Sequence, residues 1–195
     1  MLNVLKEASA SAGVPFHEWG QAPSAALIFS ADLIDYCKTN ACGCYNKSWT
    51  CPPVCDSIEE QRKKILSYDN VFVFTTKYEI EDSFDFEGMT KGKELHSKLT
   101  SEMKKRLSGA PVYGAGSCPV CESAANAANA ALTAEAVFEA KAVCAFPNPC
   151  LFPEKQIGSI EAAGINVTEL SKAAGVAYNN GKNTVTFFSM VLFYS

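Results

Sequence analysis

Residues 71–76 read Val71-Phe72-Val73-Phe74-Thr75-Thr76, six positions that are all β-branched or aromatic and carry no charge. A strand open to water on one face alternates apolar and polar side chains, so a continuous run of this kind suits a strand covered on both faces. A sheet flanked by helices follows, and the neighbouring segments supply them. Upstream, Ser57-Ile58-Glu59-Glu60 matches a capping box, in which the Ser hydroxyl and the Glu carboxylate satisfy backbone amides at a helix start, and this predicts a helix to about Ser67. Downstream, the polar, acidic stretch from Glu79 to Glu87 reads as a loop or lid. Leu95, Leu99, Met103 and Leu107 then recur at four-residue intervals and Gly109 follows, which predicts an amphipathic helix over Thr90 to Ser108 with a glycine stop.

Further out, Pro111 to Ala115 reads as a short strand that delivers the chain to Gly116 and Cys118, and Thr184 to Tyr194 (TVTFFSMVLFY) as a last core strand entered through an Asn180-Gly181 turn. Ala25 to Ser30 (AALIFS) predicts a fourth strand, leading through a helical turn around Ala31 to Tyr36. Ser159 to Ala163 and Thr168 to Ala174 are short helical candidates, the second stopped by Gly175. Residues 1–24, a short helix at most and then a loop, read as an N-terminal extension to a single domain over 25–195. The expected fold is α/β (or α+β): a small mixed sheet of about four strands flanked by helices, with two cysteine-rich metal-binding loops meeting at one end.

Composition narrows the partners. A chain of 195 residues with 48% hydrophobic content can build a core, which argues against disorder. Its 17 Lys+Arg against 21 Asp+Glu give a net charge of -4, without the broad basic field that neutralises phosphates, so nucleic acid is not an expected partner. No stretch approaches the ~18 to 20 apolar residues that cross a bilayer, so no membrane is expected either. The opening MLNVLKEASASAG lacks the basic and apolar regions of a secretion signal, and a cytoplasmic location is expected.

The nine cysteines fall in two regions only: Cys37, Cys42, Cys44, Cys51 and Cys55, then Cys118, Cys121, Cys144 and Cys150. Cysteines used as small core hydrophobes would be scattered, and a secreted disulfide framework would have an even count, so metal or redox chemistry leads. Cys118-Pro119-Val120-Cys121 has the two-residue spacing at which a loop turns two thiolates onto one metal or cluster. Cys144-Ala145-Phe146-Pro147-Asn148-Pro149-Cys150 adds two more on a proline-rich loop. Four thiolates satisfy a tetrahedral zinc or a [4Fe-4S] cluster. A thioredoxin-like redox pair at Cys118 and Cys121, or free thiols throughout, are the plainer alternatives. The first region holds more thiols than one site needs, so three or four would be ligands and the others bystanders. Tyr45, Trp49 and Pro52-Pro53 would shield that site from water, or simply pack around a tight loop.

Between the cysteine pairs of the second region lies an insertion over 122–143, with ten alanines between Ala124 and Ala142, which reads as helical. Its small side chains and the apolar C-terminal strand are surfaces on which a homodimer could form.

Together the motifs carry a resemblance. Cys42-x2-Tyr45-x3-Trp49-x-Cys51-Pro52-Pro53, then Gly116-x-Cys118-x2-Cys121, and then Cys144-x5-Cys150-x2-Pro153-Glu154-Lys155 with Ser159-Ile160-Glu161-Ala162-x-Gly164-Ile165-Asn166-Val167 are similar to an uncharacterised family of cysteine-rich predicted metal-binding proteins, a domain of unknown function from many anaerobic bacteria and archaea. The resemblance runs from about Ala25 to the C-terminus. It implies Cys37, Cys42 and Cys51 as ligands in the first half and Cys118, Cys121, Cys144 and Cys150 in the second. Cys44 and Cys55 lie outside the family pattern, and either would complete a fourth ligand for the first site. The insertion after Cys121 also departs from it. An anaerobic setting favours iron, so the expected cofactor is a [4Fe-4S] cluster, one or two per chain, with zinc as the alternative. The implied role is electron transfer to a redox partner protein. A structural zinc module, or an enzyme with an open coordination position on its cluster, are the other classes, and no catalytic residue is assigned.

The remaining candidates are weaker. His96 sits beside the apolar stripe of its helix and reads as a surface residue, and His17 lies in the irregular N-terminus. Tyr113-Gly114-Ala115-Gly116 reads as a tight turn before Cys118. Arg62-Lys63-Lys64 and Lys104-Lys105-Arg106 are basic runs on predicted helices, by default solvated faces, with docking of an acidic redox partner as the sharper reading.

Overall fold

The computed structural model describes residues 1–121 and 144–195. At its centre β2 (Asn70–Glu79) and β5 (Thr184–Phe193) pair antiparallel along their whole length, in register from Asn70 opposite Phe193 to Glu79 opposite Thr184. The strand β1 (Trp19–Pro23) extends the sheet antiparallel on the free edge of β2. On the other side β3 (Val112–Gly114) runs antiparallel to β5, and β4 (Gly158–Ser159) lies parallel to β3. The strand order is β1-β2-β5-β3-β4. The α/β architecture is as expected, with five strands where four were read.

Both faces of this sheet are covered, which is why residues 71–76 show no polar alternation. Val71 and Val73 join Phe188, Met190 and Leu192 on one face, against Ile65 of α3 (Ile58–Leu66) and Leu170 of α5 (Val167–Ala174). Phe72 and Phe74 join Val191 on the other, against Leu5 of α1 (Leu2–Ala12) and Leu99 and Met103 of α4 (Phe86–Arg106). Full burial of each such side chain contributes about 1.5–3 kcal/mol. The capping box forms as read: Glu60 N–H donates to Ser57 Oγ, and Ser57 N–H to the Glu60 carboxylate. The left-handed Gly175 ends α5.

Several elements differ from the sequence reading. The run Ala25 to Ser30 is no strand; it makes part of one 3-10 turn, Ser24–Ala26, and a single bridge from Phe29 to Ile165. The edge of β2 is already taken by Trp19–Pro23, which lacks β-branched residues and read as loop. Its inward positions are Gly20 and Ala22, small because α5 crosses close above: a Cβ on Gly20 would lie 1.9 Å from the Ala174 carbonyl oxygen. Ser159 belongs to β4 and residues 160–164 form a turn, not a helix. The helix α4 starts four residues before Thr90 because Asp85 caps it, its carboxylate accepting from Gly88 N–H at 2.7 Å. Residues 1–24 form α1 and β1, with Leu5 and Ala8 of α1 fully buried. The alanine-rich stretch 122–143 lies outside the described residues. Among the described residues no helix is long and apolar enough to cross a membrane.

His96 is a correction as well. It is buried, because α4 presents Gly92, His96, Leu99, Thr100 and Met103 to the sheet, a stripe rotated from the leucine repeat. Its Nδ1 pairs with Thr76 Oγ1 at 2.9 Å and its Nε2 with Ser189 Oγ at 2.8 Å, while Thr100 Oγ1 meets Ser189 Oγ at 2.7 Å. Both ring nitrogens are satisfied, which makes burial of a polar ring tolerable. The exposed His17 ring pairs with Asn180 Oδ1.

Candidate metal centre

Two regions, residues 37–55 and residues 118–121 with 144–150, carry the cysteines. The first begins where α2 (Asp32–Lys38) ends, so Cys37 sits in its last turn. The loop turns through left-handed Asn40, Gly43 and Asn46, and is closed by Asn46 N–H donating to the Pro52 carbonyl at 2.9 Å and Tyr45 N–H to Asn40 Oδ1 at 3.0 Å. Cys51 is buried beneath it, and Val54 and Cys55 N–H both donate to the Cys51 carbonyl. The second loop leaves β3 through Gly114-Ala115-Gly116, with Gly116 in the left-handed region, and reaches Cys118 and Cys121. Cys144 and Cys150 flank a turn closed by Asn148 N–H to the Ala145 carbonyl at 2.8 Å. The Pro52-Pro53 and Phe146-Pro147 peptides are cis.

The fold brings Cys118, Cys121, Cys144 and Cys150 to the wall of one small cavity, completed by Ser48, Trp49, Thr50, Val120, Phe152 and Gln156. The first loop therefore supplies part of that wall. Trp49 is fixed there by Nε1–H donation to the Asn148 carbonyl at 3.0 Å and by edge-on contact with Phe146, centroids 5.3 Å apart. Cys118 N–H donates to Thr50 Oγ1 at 3.1 Å. The Cys44 thiol points at Ser117 Oγ, 3.4 Å away, so it reaches toward the second loop. Ile157 N–H donates to Cys118 Sγ at 3.4 Å, a bond that stabilises sulfur in its charged form.

All nine cysteines are free thiols. Burial raises the pKa of Cys118, against backbone N–H donation from Ile157 and Val120, with Cys121 and Cys150 adding to the rise. Cys121 is raised by burial and then by Cys144 and Cys150. In the first loop burial pushes Cys51 up to about 12, helped by Cys44, Cys42 and Cys55. Cys55 is pushed up to about 11 by burial and the Asp56 carboxylate, and Cys37 is raised by burial, Cys42 and Glu161. The charged neighbours that raise these sulfurs are thiols and carboxylates, and a bound cation would reverse that balance and draw off the protons. The first-loop cysteines lie near one another without lining the second-region cavity. Among the described residues no three Cys, His, Asp or Glu side chains converge at the spacing that a single metal ion requires.

A family model described as "Predicted metal-binding protein (DUF2284)" matches residues 22–193. The chain belongs to the DUF2284 family. Every cysteine of both loops falls within the matched residues, and the name that the family carries, metal-binding, agrees with the thiol chemistry. No curated protein and no solved structure matches this DUF2284 chain. Sequence reasoning missed Ser48, Thr50, Ser117, Phe152 and Gln156 as partners of the cysteines. The local signals were the positions of Thr50 next to Cys51-Pro52-Pro53 and of Ser117 next to Cys118.

Proposed function

We propose that this chain is an iron–sulfur protein that binds a [4Fe-4S] cluster through Cys118, Cys121, Cys144 and Cys150 and exchanges electrons with a redox partner protein. The observation that carries it is the single cavity lined by those four thiols and walled by Trp49, Val120 and Phe152. Thiolates are soft donors that suit iron–sulfur clusters and zinc alike. The four thiols line one cavity, and four thiolates can supply the four irons of a [4Fe-4S] cluster with one ligand each. A cluster, when bound, supplies one-electron exchange. The chain holds Cys118 through the Thr50 and Ile157 contacts, places backbone N–H groups against its sulfur, and screens the site with Trp49 and Phe146. Cys37, Cys42 and Cys51, with Cys44 or Cys55, would hold a second cluster.

The test is metal and acid-labile sulfide analysis with a visible spectrum on protein purified without oxygen. About four or eight irons per chain with matching sulfide, and absorbance near ~400 nm that bleaches with dithionite, support the proposal. Zinc without sulfide overturns it in favour of a structural zinc module.

A further inference from the structure

The two basic runs of the sequence meet in space. Lys64, in the last turn of α3, and Lys104, in the last turn of α4, both line a cleft of about 580 Å³ that shares Trp49, Thr50 and Gln156 with the cysteine cavity. Of the other residues in the two runs, Lys105 and Arg106 pair with Glu102, Arg62 lies over the Phe29 ring, and Lys63 is exposed. Among the described residues neither Lys64 nor Lys104 forms an ion pair. A helix C-terminus favours one cation on each helix. It does not account for two ammonium groups brought to one cleft. Lys104 is half-buried; burial and then the charge of Lys64 lower its pKa, against smaller opposing effects of Cys118 and Glu154. Its Nζ donates once, to the Ala110 carbonyl at 2.9 Å, which leaves two N–H donors.

The remaining lining mixes polar side chains such as Gln61, Tyr113 and Ser159 with apolar ones such as Val112 and Ala162. Tyr113 O–H donates to Gln61 Oε1 at 3.0 Å, and among the described residues the Gln61 amide N–H donors have no side-chain or carbonyl acceptor. The acidic group on the wall is Asp56, whose charge acts on Tyr113. A cleft of this size is in the range of small-molecule sites, and two unpaired cations with nearby amide donors are the chemistry that holds an anion.

We propose that this cleft binds a small anionic molecule, a phosphate or carboxylate compound, with Lys64 and Lys104 as its charge partners and the cysteine cavity as its neighbour. Binding here does not depend on which metal the thiols hold. The test is isothermal titration of the full chain as purified with two probes, sodium pyrophosphate and sodium citrate, at low and raised ionic strength. Saturable binding of either probe, weakened by salt and weakened about 10-fold or more in Lys64→Gln and Lys104→Gln but not in the outward Lys63→Gln, supports the site, and the preferred probe tells phosphate from carboxylate. Because Lys104 also holds the Ala110 carbonyl, the exposed Lys64→Gln decides if Lys104→Gln fails to fold. Absence of saturable binding by both probes, or affinity unchanged in Lys64→Gln, overturns the proposal.

Discussion

The backbone N–H of Cys118 donates to Thr50 Oγ1 at 3.1 Å, joining the two cysteine loops across 68 positions of sequence. This contact puts Trp49 and Thr50 into the wall of a cavity whose thiols all come from the second loop. Thr50 is buried, so its loss leaves the Cys118 amide without an acceptor. Thr50→Val, which keeps the shape, is expected to cost about 1–3 kcal/mol of stability and to speed iron loss to a chelator. Urea midpoints together with the rate of bleaching near ~400 nm check it.

Cysteine replacement separates the two loops. If Cys118, Cys121, Cys144 and Cys150 hold the proposed cluster, Cys150→Ser abolishes it, whereas the double variant Cys44→Ser, Cys55→Ser leaves it in place, because neither of those thiols lines its cavity. Iron and sulfide counts on each variant read this directly. Loss of all iron in the double variant would mean that Cys44, which reaches Ser117, belongs to the same site.

His96 predicts an acid limit to stability. Burial lowers its pKa from 6.5 to about 4. The unfolded chain takes up a proton near pH 6.5 that the folded chain refuses until near pH 4, so stability is full above the first value and falls as pH drops toward the second. The loss accumulates to on the order of 3 kcal/mol across that window. Urea midpoints measured from pH 7 to pH 4 should show this fall, and His96→Gln should flatten it.

Close approach at β1 makes a sterically defined prediction. Gly20→Ala would place a methyl group 1.9 Å from the Ala174 carbonyl oxygen, a backbone atom with no easy way to move. A loss of about 2 kcal/mol or more in equilibrium unfolding is expected. Gly13→Ala, at the left-handed end of α1 with nothing within 4 Å of the new methyl, should cost only about 1 kcal/mol.

By itself the sequence determined the elements whose signals are local. Val71 to Thr76 read as a strand covered on both faces, Ser57 to Glu60 as a helix start, and Thr184 to Tyr194 as a core strand, because propensity, capping and burial pattern all act within a few residues. The division of the nine cysteines into two loops was equally legible. Local signals could not distinguish Ala25–Ser30 from Trp19–Pro23 as the strand beside β2, because that choice turns on how close α5 comes to Gly20. Nor could they place His96 inside, because the Thr76 and Ser189 partners that make its burial tolerable lie 20 and 93 residues away. The tertiary structure alone set Trp49 and Thr50 of the first loop against the thiols of the second, and Lys64 beside Lys104. Such pairings follow from helix and strand packing, and long-range packing leaves no periodic trace in the sequence.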